Sequence, residues 1–293
     1  MNKATDRKKR SPRRNSNAAI VWRRLLRNKT AMIGLIILVI ITLVCLLADV
    51  FAPFGYDEQD VMSKFMGPGA EHWFGTDNLG RDIFSRILYG GRLTLVVGFG
   101  ATGIAAVIGT VLGALAGYYG GKIDNVIMRI LDVFMAVPNL VLAIALAAVM
   151  GTGIKSCMLA VGISAIPTFA RTIRGPILAV KSEEYIEAAK SVDASDLRII
   201  FKHVFLNVLS PVIVQLTLQI ASAITNAAAL SFLGLGIVPP TPEWGSMLSS
   251  ARTYILKYPM LCVWPGLSIA LVVLSLNLFG DGLRDALDPR LKD

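Results

Sequence analysis

Charge is what this sequence has least of. Only 17% of its 293 residues are Asp, Glu, Lys or Arg, where soluble domains carry about 25%. Histidine occurs twice, as His72 and His203, and cysteine three times, as Cys45, Cys157 and Cys262, never in a Cys-x-x-Cys spacing. Neither a disulfide framework nor a zinc site is indicated. Four stretches, 30–48, 93–121, 204–242 and 259–280, hold no Asp, Glu, Lys, Arg or His, and 133–170 is interrupted only by Lys155. Such runs contain no nucleophile with its base, no His/carboxylate metal set and no carboxylate pair, so catalysis by this chain alone is not expected. Ion-coupled carriers place ionisable groups at membrane depth, and here they are missing. Gly121-Lys122-Ile123 lacks both the Ser/Thr and the upstream glycine of a nucleotide-binding loop. If the chain moves a solute, energy must enter through a partner.

What is present is apolar length: 54% of the residues are hydrophobic. About 20 apolar residues cross a bilayer core of roughly 30 Å as a helix. The run 133–170 divides at Gly151-Thr-Gly-Ile-Lys155, and the expected fold is all-α and polytopic with six transmembrane helices. Pro138 and Pro167 fall within the third and fourth spans, where kinks are tolerated if neighbours satisfy the freed carbonyl. The net charge of +9 comes from residues 1–30, which carry eleven Lys/Arg against Asp6 alone. Membrane proteins collect Lys/Arg on cytoplasmic flanks, and six spans from an inside N-terminus put 22 of the 29 Lys/Arg inside. The basic tail is read as a topology signal, with anionic lipid headgroups as the alternative; it lacks the interleaved aromatics of a nucleic-acid site. The first run, Ala31 to Leu47, is longer than a signal-peptide core and is read as a permanent anchor. The chain thus divides into a basic cytoplasmic tail (1–30), a first span (31–53), an extracytoplasmic segment (54–92) and a five-helix transmembrane domain (93–293), placing the protein in the cell membrane with both termini cytoplasmic.

In the outer segment Asp77 is a good N-cap, and Ile83, Ile87 and Leu88 give one apolar stripe. A short amphipathic helix is expected there, lying on the membrane or docking an external partner. Ala101, Ala105, Gly109, Gly113 and Gly117 recur every four residues in the second span, a seam for close helix packing. Gln215, Gln219, Ser222 and Asn226 follow at +4, +3 and +4 on the fifth span. A path lining and interhelical hydrogen bonding fit this stripe equally well. Ser231 to Gly245 is Gly/Pro-rich and should be an ordered outer loop, dipping toward the membrane.

The inner loop from Arg171 to His203 is the obvious place for a partner. Ser182-Glu-Glu-Tyr-Ile-Glu-Ala-Ala-Lys190 reads as a helix capped by Ser182, with Glu183 and Glu184 in its first turn. A second helix should start near Ser195-Asp196, with Leu197, Phe201, Val204 and Val208 on one face. Two short helices joined at a turn make a rigid lever, although a solvated connector would also satisfy the pattern.

The run Glu187-Ala188-Ala189 through Asp193, Ser195 and Asn207 resembles the coupling loop of ABC importer permeases. Gly75-Thr76-Asp77 with Gly80-Arg81-Asp82, Ser231-Phe-Leu-Gly-Leu-Gly236 with Pro239-Pro-Thr-Pro242 and Trp244-Gly245, and Asp281-Gly-Leu-Arg284 with Asp288-Pro289 are similar to the oligopeptide/dipeptide/nickel permease family, C-type subunit. The resemblance covers the chain from about residue 20. It implies a type I importer permease fold, a homologous second permease, two ABC ATPase subunits that carry the ATP and Mg, and an extracytoplasmic substrate-binding protein. No cofactor, metal or catalytic residue is implied on this chain. Glu187, Ala188, Ala189, Asp193 and Ser195 would seat on the ATPase within 182–207. The solute would be peptides, with nickel chelates or small glycosides as alternatives inside the family; a membrane scaffold or sensor is the rival outside it. Asp193 stands where the family has Gly, at a turn with φ > 0, and Leu206 where it has Pro, so the second coupling helix should run unbroken into the fifth span.

Overall fold

The computed structural model describes residues 17–287. Most of the basic tail and the Asp288-Pro289 pair lie outside the described residues. Helices α1 (Asn17–Arg27) and α2 (Lys29–Leu46) are separated at Asn28, whose extended backbone and Oδ1, accepting from the Ala31 amide at 3.2 Å, start α2 afresh. A four-residue helix, α3 (Ala48–Phe51), follows, and then the outer segment. Next come α4 (Ile83–Tyr119), α5 (Gly121–Met135), α6 (Asn139–Met150) and α7 (Ile154–Lys181). The inner loop holds α8 (Glu184–Ser191) and α9 (Asp196–Ile199), then α10 (Phe205–Phe232), α11 (Trp244–Ala251) and α12 (Met260–Leu287). Five helices are long and apolar enough to cross a membrane, and α5 with α6 makes a sixth if that bent pair is one span.

Two expectations are corrected and a third is met. No separate amphipathic helix starts at Asp77. Asp77 Oδ1 instead accepts from the amides of Leu79 (2.8 Å) and Arg81 (3.1 Å), closing a turn. The helix begins at Ile83 under Asp82, whose Oδ2 accepts from the Ser85 amide at 2.7 Å. It then runs 37 residues through the expected boundary at 92, because nothing between 83 and 119 breaks it. Second, the third span is broken, not kinked: α5 and α6 meet at 85° around Pro138. Proline drives the residue before it out of the helical region, so α5 stops short of Pro138. Residues 121–135, ahead of the break, form α5. As expected, α10 and the π-helical turn Ile200–Val204 carry α9 into the fifth span as one 37-residue helix from Asp196 to Phe232. Leucine at 206 leaves the junction unbroken, and Pro211 sits inside α10 without ending it.

The small-residue seam packs against α7. Ala101, Ala105, Gly109, Gly113 and Gly117 are all buried. A Cβ on Gly113 would stand 2.5 Å from the Ala170 carbonyl oxygen, so only glycine admits this approach. Pro167 and Pro176 sit inside α7 without ending it.

Candidate functional site

The inner loop is built from the end of α7 outward. Ser182 does not cap α8: its Oγ donates to the Ala179 carbonyl at 2.9 Å and finishes α7, while Glu183 takes the N-cap position. That leaves Glu184 and Glu187 as the acids of the first turn, where the helix dipole favours them. Asp193 adopts φ +57°, and the Ala194 amide donates to the Ala189 carbonyl at 3.2 Å, so α8 turns sharply toward α9. Asp is among the few non-glycine residues that visit this region readily. Ser195 sits at the N-cap of α9 without a side-chain capping bond.

One side of this lever is anchored. Ile186 and Ile199 are fully buried in a cluster with Tyr118, Phe169, Ile173, Ile177, Val204 and Val208. Tyr118, 4% exposed at the end of α4, donates from Oη to Asp196 Oδ1 at 2.7 Å, and the Lys190 ammonium lies 5.8 Å from its ring centroid. Beside it, Arg174 of α7 grips Asp124 of α5 through Nε (2.6 Å) and Nη2 (2.5 Å), and Arg171 pairs with Asp132. The other side is open. Glu187, Ala188, Asp193 and Ser195 are exposed, Ala189 is half-buried, and Val192, Leu197 and Phe201 stand out from the surface, the last two 68% exposed each. The expected single face of Leu197, Phe201, Val204 and Val208 is therefore split. The π-helical turn at 200–204 inserts a residue into the repeat, so Leu197 and Phe201 point away while Val204 and Val208 point into the cluster.

The outer motif is a buried scaffold. Gly75 (φ +80°) and Gly80 (φ +73°) make its turns, and a Cβ on Gly80 would lie 1.7 Å from the Asp60 carbonyl oxygen. Thr76 donates to the Ser63 carbonyl and accepts from the Met66 amide at 2.9 Å. Arg81 Nε donates to Asp77 Oδ2 at 2.7 Å, His72 Nδ1 lies 3.0 Å from Asp82 Oδ1, and Arg86 reaches the Tyr56 carbonyl at 2.6 Å. Thr76, Arg81, Asp82 and Arg86 are buried, so they hold the segment against α4 and offer little surface to a partner.

The polar stripe of α10 does not share one surface. Gln219 is 5% exposed, with an Nε2 that finds no partner among the described residues, Ser222 is exposed, and Gln215 and Asn226 are half-buried. Gln215 alone of the four lines a groove of about 400 Å³, formed with Thr172, Ser210, Leu218 and Arg284 between α7, α10 and α12. The sequence reading missed Tyr118, Arg174 and Glu243. Glu243, buried before α11, accepts from the amides of Gly245 and Ser246 (2.9 Å each) and lies 3.3 Å from Thr94 Oγ1. Burial pushes its carboxyl above the ordinary range, partly offset by those amides and by the hydroxyls of Ser231 and Thr94. A lone acid in the otherwise acid-free stretch 204–280 was the available signal.

Apolar spans around a seam of small residues, with a two-helix lever at one end, define an integral-membrane transport subunit. The chain belongs to the family of binding-protein-dependent transport system inner membrane components, whose model matches residues 109–293, and residues 16–68 match the N-terminal transmembrane domain of oligopeptide transport permease C. It is 48% identical to the dipeptide transport system permease protein DppC of Alkalihalophilus pseudofirmus, over 92% of this chain and 89% of that one. Identity is 47% to the glutathione transport system permease protein GsiD of Escherichia coli, over 92% and 90%. Among solved structures, the inward-facing MetNI methionine ABC transporter superposes with a TM-score of 0.58 at 18% identity, covering 69% of this chain and 97% of that one. The fold is that of a type I ABC importer permease, and the chain is a transport subunit, not an enzyme.

Proposed function

We propose that this chain forms half of a translocation path for peptides, pairs with a homologous second permease, and is driven by two ABC ATPase subunits that bind ATP and Mg. An extracytoplasmic binding protein delivers the solute, and both termini and the inner loop face the cytoplasm, as the Lys/Arg asymmetry argues. The observation that carries the reading is the two-sided lever. Its inner face is fixed to α4 and α7 by Ile186, Ile199 and Tyr118, while its outer face presents Glu187, Ala188, Leu197 and Phe201 uncovered. Exposed large apolar groups beside small and acidic ones suit burial against a partner. Closure of an ATPase pair would carry the levers together and turn the path outward, a rigid-body switch. Two relatives named for dipeptide and for glutathione support a peptide solute.

The test is reconstitution of the chain with its partner permease, ATPases and binding protein in sealed vesicles. ATP-dependent uptake of a labelled dipeptide is expected. ATP hydrolysis that responds to the binding protein without any uptake would favour a sensor and overturn the reading. An engineered Ser182→Cys should resist an impermeant thiol reagent in intact cells, and labelling there would reverse the assigned orientation.

A further inference from the structure

Helix α1 has an exposed face that the permease reading leaves without a role. Leu25 is buried with Ala31 and Ala286, packed by Val21 and Phe279, so one edge of α1 is fastened to α12. The adjacent edge is bare: Trp22 is 53% and Leu26 48% exposed. Arg23 and Arg27 are also exposed, and Lys29 follows at the start of the first span. At about 100° per residue, Trp22 and Leu26 fall together one step round from Val21 and Leu25, and Arg23 and Arg27 one step further. The circumference therefore runs from protein-facing aliphatics through uncovered Trp and Leu to a cationic arc. That order matches a helix lying in a membrane interface, its apolar edge at the acyl boundary and its cations among the headgroups.

We infer that α1 is an in-plane docking surface for anionic phospholipid, with Trp22 and Leu26 in the acyl boundary and Arg23, Arg27 and Lys29 on the phosphates. Charge complementarity selects this occupant over a protein. Residues 1–30 carry eleven Lys/Arg and one acid, so the surface repels a second copy of itself and attracts a leaflet of anionic headgroups. The length of Trp22 and its ring N–H also suit the headgroup level. The inference rests on the membrane placement of α2, not on the peptide reading.

The test uses the full chain in vesicles of phosphatidylglycerol and phosphatidylcholine in equal parts, with acyl-chain bromines placed on one lipid or the other. The Trp22 share of the fluorescence is the difference between the native chain and Trp22→Phe. Each basic residue near an anionic surface favours association roughly fivefold, so brominated phosphatidylglycerol should quench the Trp22 share at least about twofold more than brominated phosphatidylcholine. The ratio should fall toward one in about 1 M salt, where the screening length is near 3 Å. It should also fall in Arg23→Gln/Arg27→Gln, a variant that keeps nine of the eleven basic residues and with them the orientation. Equal quenching by the two lipids would show a face that touches bilayer without headgroup selection and would overturn the inference. So would a Trp22 that neither lipid quenches, which would mean that protein covers it, or a preference that survives loss of both arginines. Peptide uptake plays no part in the readout, so failure here leaves the transport reading standing.

Discussion

Tyr118→Phe deletes one oxygen from the joint between the lever and the second span. The ring stays where it is, packed with Ile186, Ile199, Ile173 and Ile177, and the Lys190 ammonium keeps its aromatic face. What goes is the 2.7 Å bond from Oη to Asp196 Oδ1. A hydrogen bond to a charged group contributes about 1.5–3 kcal/mol, but Asp196 is exposed and water can replace the lost donor, which brings the expected loss down to about 1 kcal/mol. One kcal/mol is roughly a fivefold change in a rate or a population. Because the bond lies between the lever and α4 and not in the spans, the loss should fall on transmission: uptake per ATP hydrolysed should drop about three- to tenfold while assembly and thermal stability hold. Solute uptake and phosphate release measured on the same vesicles give the ratio directly. Asp196→Asn keeps an acceptor for the phenol and should lose less, and Tyr119→Phe, on the exposed neighbour, should lose nothing. An unchanged uptake-to-ATP ratio, or a parallel fall in both rates with dissociation of the complex, would refute the argument.

Glu187→Lys reverses an exposed charge at the face assigned to the ATPase and touches no apolar packing, so the protein should reach the membrane in normal amount while ATP-dependent uptake falls at least tenfold (~1.4 kcal/mol); undiminished uptake would remove the role given to this face. Gly113→Val drives a branched side chain into the Ala170 carbonyl, an overpacking worth about 1–3 kcal/mol or more, and should lower the unfolding temperature, whereas Gly175→Ala meets nothing within 4 Å and should be neutral or stabilising, since alanine is the better helix former. For Glu243, the folded state holds its proton to higher pH than the unfolded chain, so its share of stability is full below about pH 4 and declines as pH rises through the raised value. Glu243→Gln should flatten that slope, and it should also cost about 1–3 kcal/mol for a lost backbone acceptor; a pH profile of melting identical to the native one would contradict the burial argument. Gln215→Leu should slow uptake with normal melting, because Gln215 lines the groove, while Gln219→Leu removes an unpartnered buried amide and should be neutral or stabilising by up to about 1 kcal/mol. The reverse pattern would restore the single stripe.

The sequence was most legible where a residue's role depends on its own backbone or on neighbours a few positions away. Uncharged runs located the long helices, the four-residue spacing found the seam of α4 on α7, and Asp193 was expected at positive φ and is found at +57°. Ser195 was expected to open the second coupling helix and does. Misreadings arose where two local signals compete. Asp77 and Asp82 both stand before an apolar stripe, and each does cap backbone amides, one in a turn and one on a helix; choosing between them needed the close approach of Gly80 to Asp60, which lies outside any local window. Leu197 and Phe201 were expected to share a face with Val204 and Val208 because a periodicity argument assumes 3.6 residues per turn, and one π-helical turn is enough to break the phase.

What stayed hidden were partners far apart in sequence. Thr94 and Glu243 are 149 positions apart and Tyr118 and Asp196 are 78, so no spacing rule could pair them. These same pairs decide what the chain can transmit. Gly113 presses α4 onto α7 with no room for a side chain between them, so the two helices cannot slide past one another without opening the seam. Arg174 and Arg171 hold α5 to α7 by its acids, and Tyr118 holds the lever to α4. On the proposed reading, a push on Glu187 and Ala188 would be delivered to α4, α5 and α7 together, and packed cores of this kind respond by switching between discrete arrangements. The break before Pro138, where α5 turns 85° into α6, is the place among these elements where backbone and not packed side chains makes the connection. On the proposed reading, a chain with no charged side chain inside its four charge-free runs does work on a solute by steric means, and the residues that matter most are those that prevent its helices from moving independently.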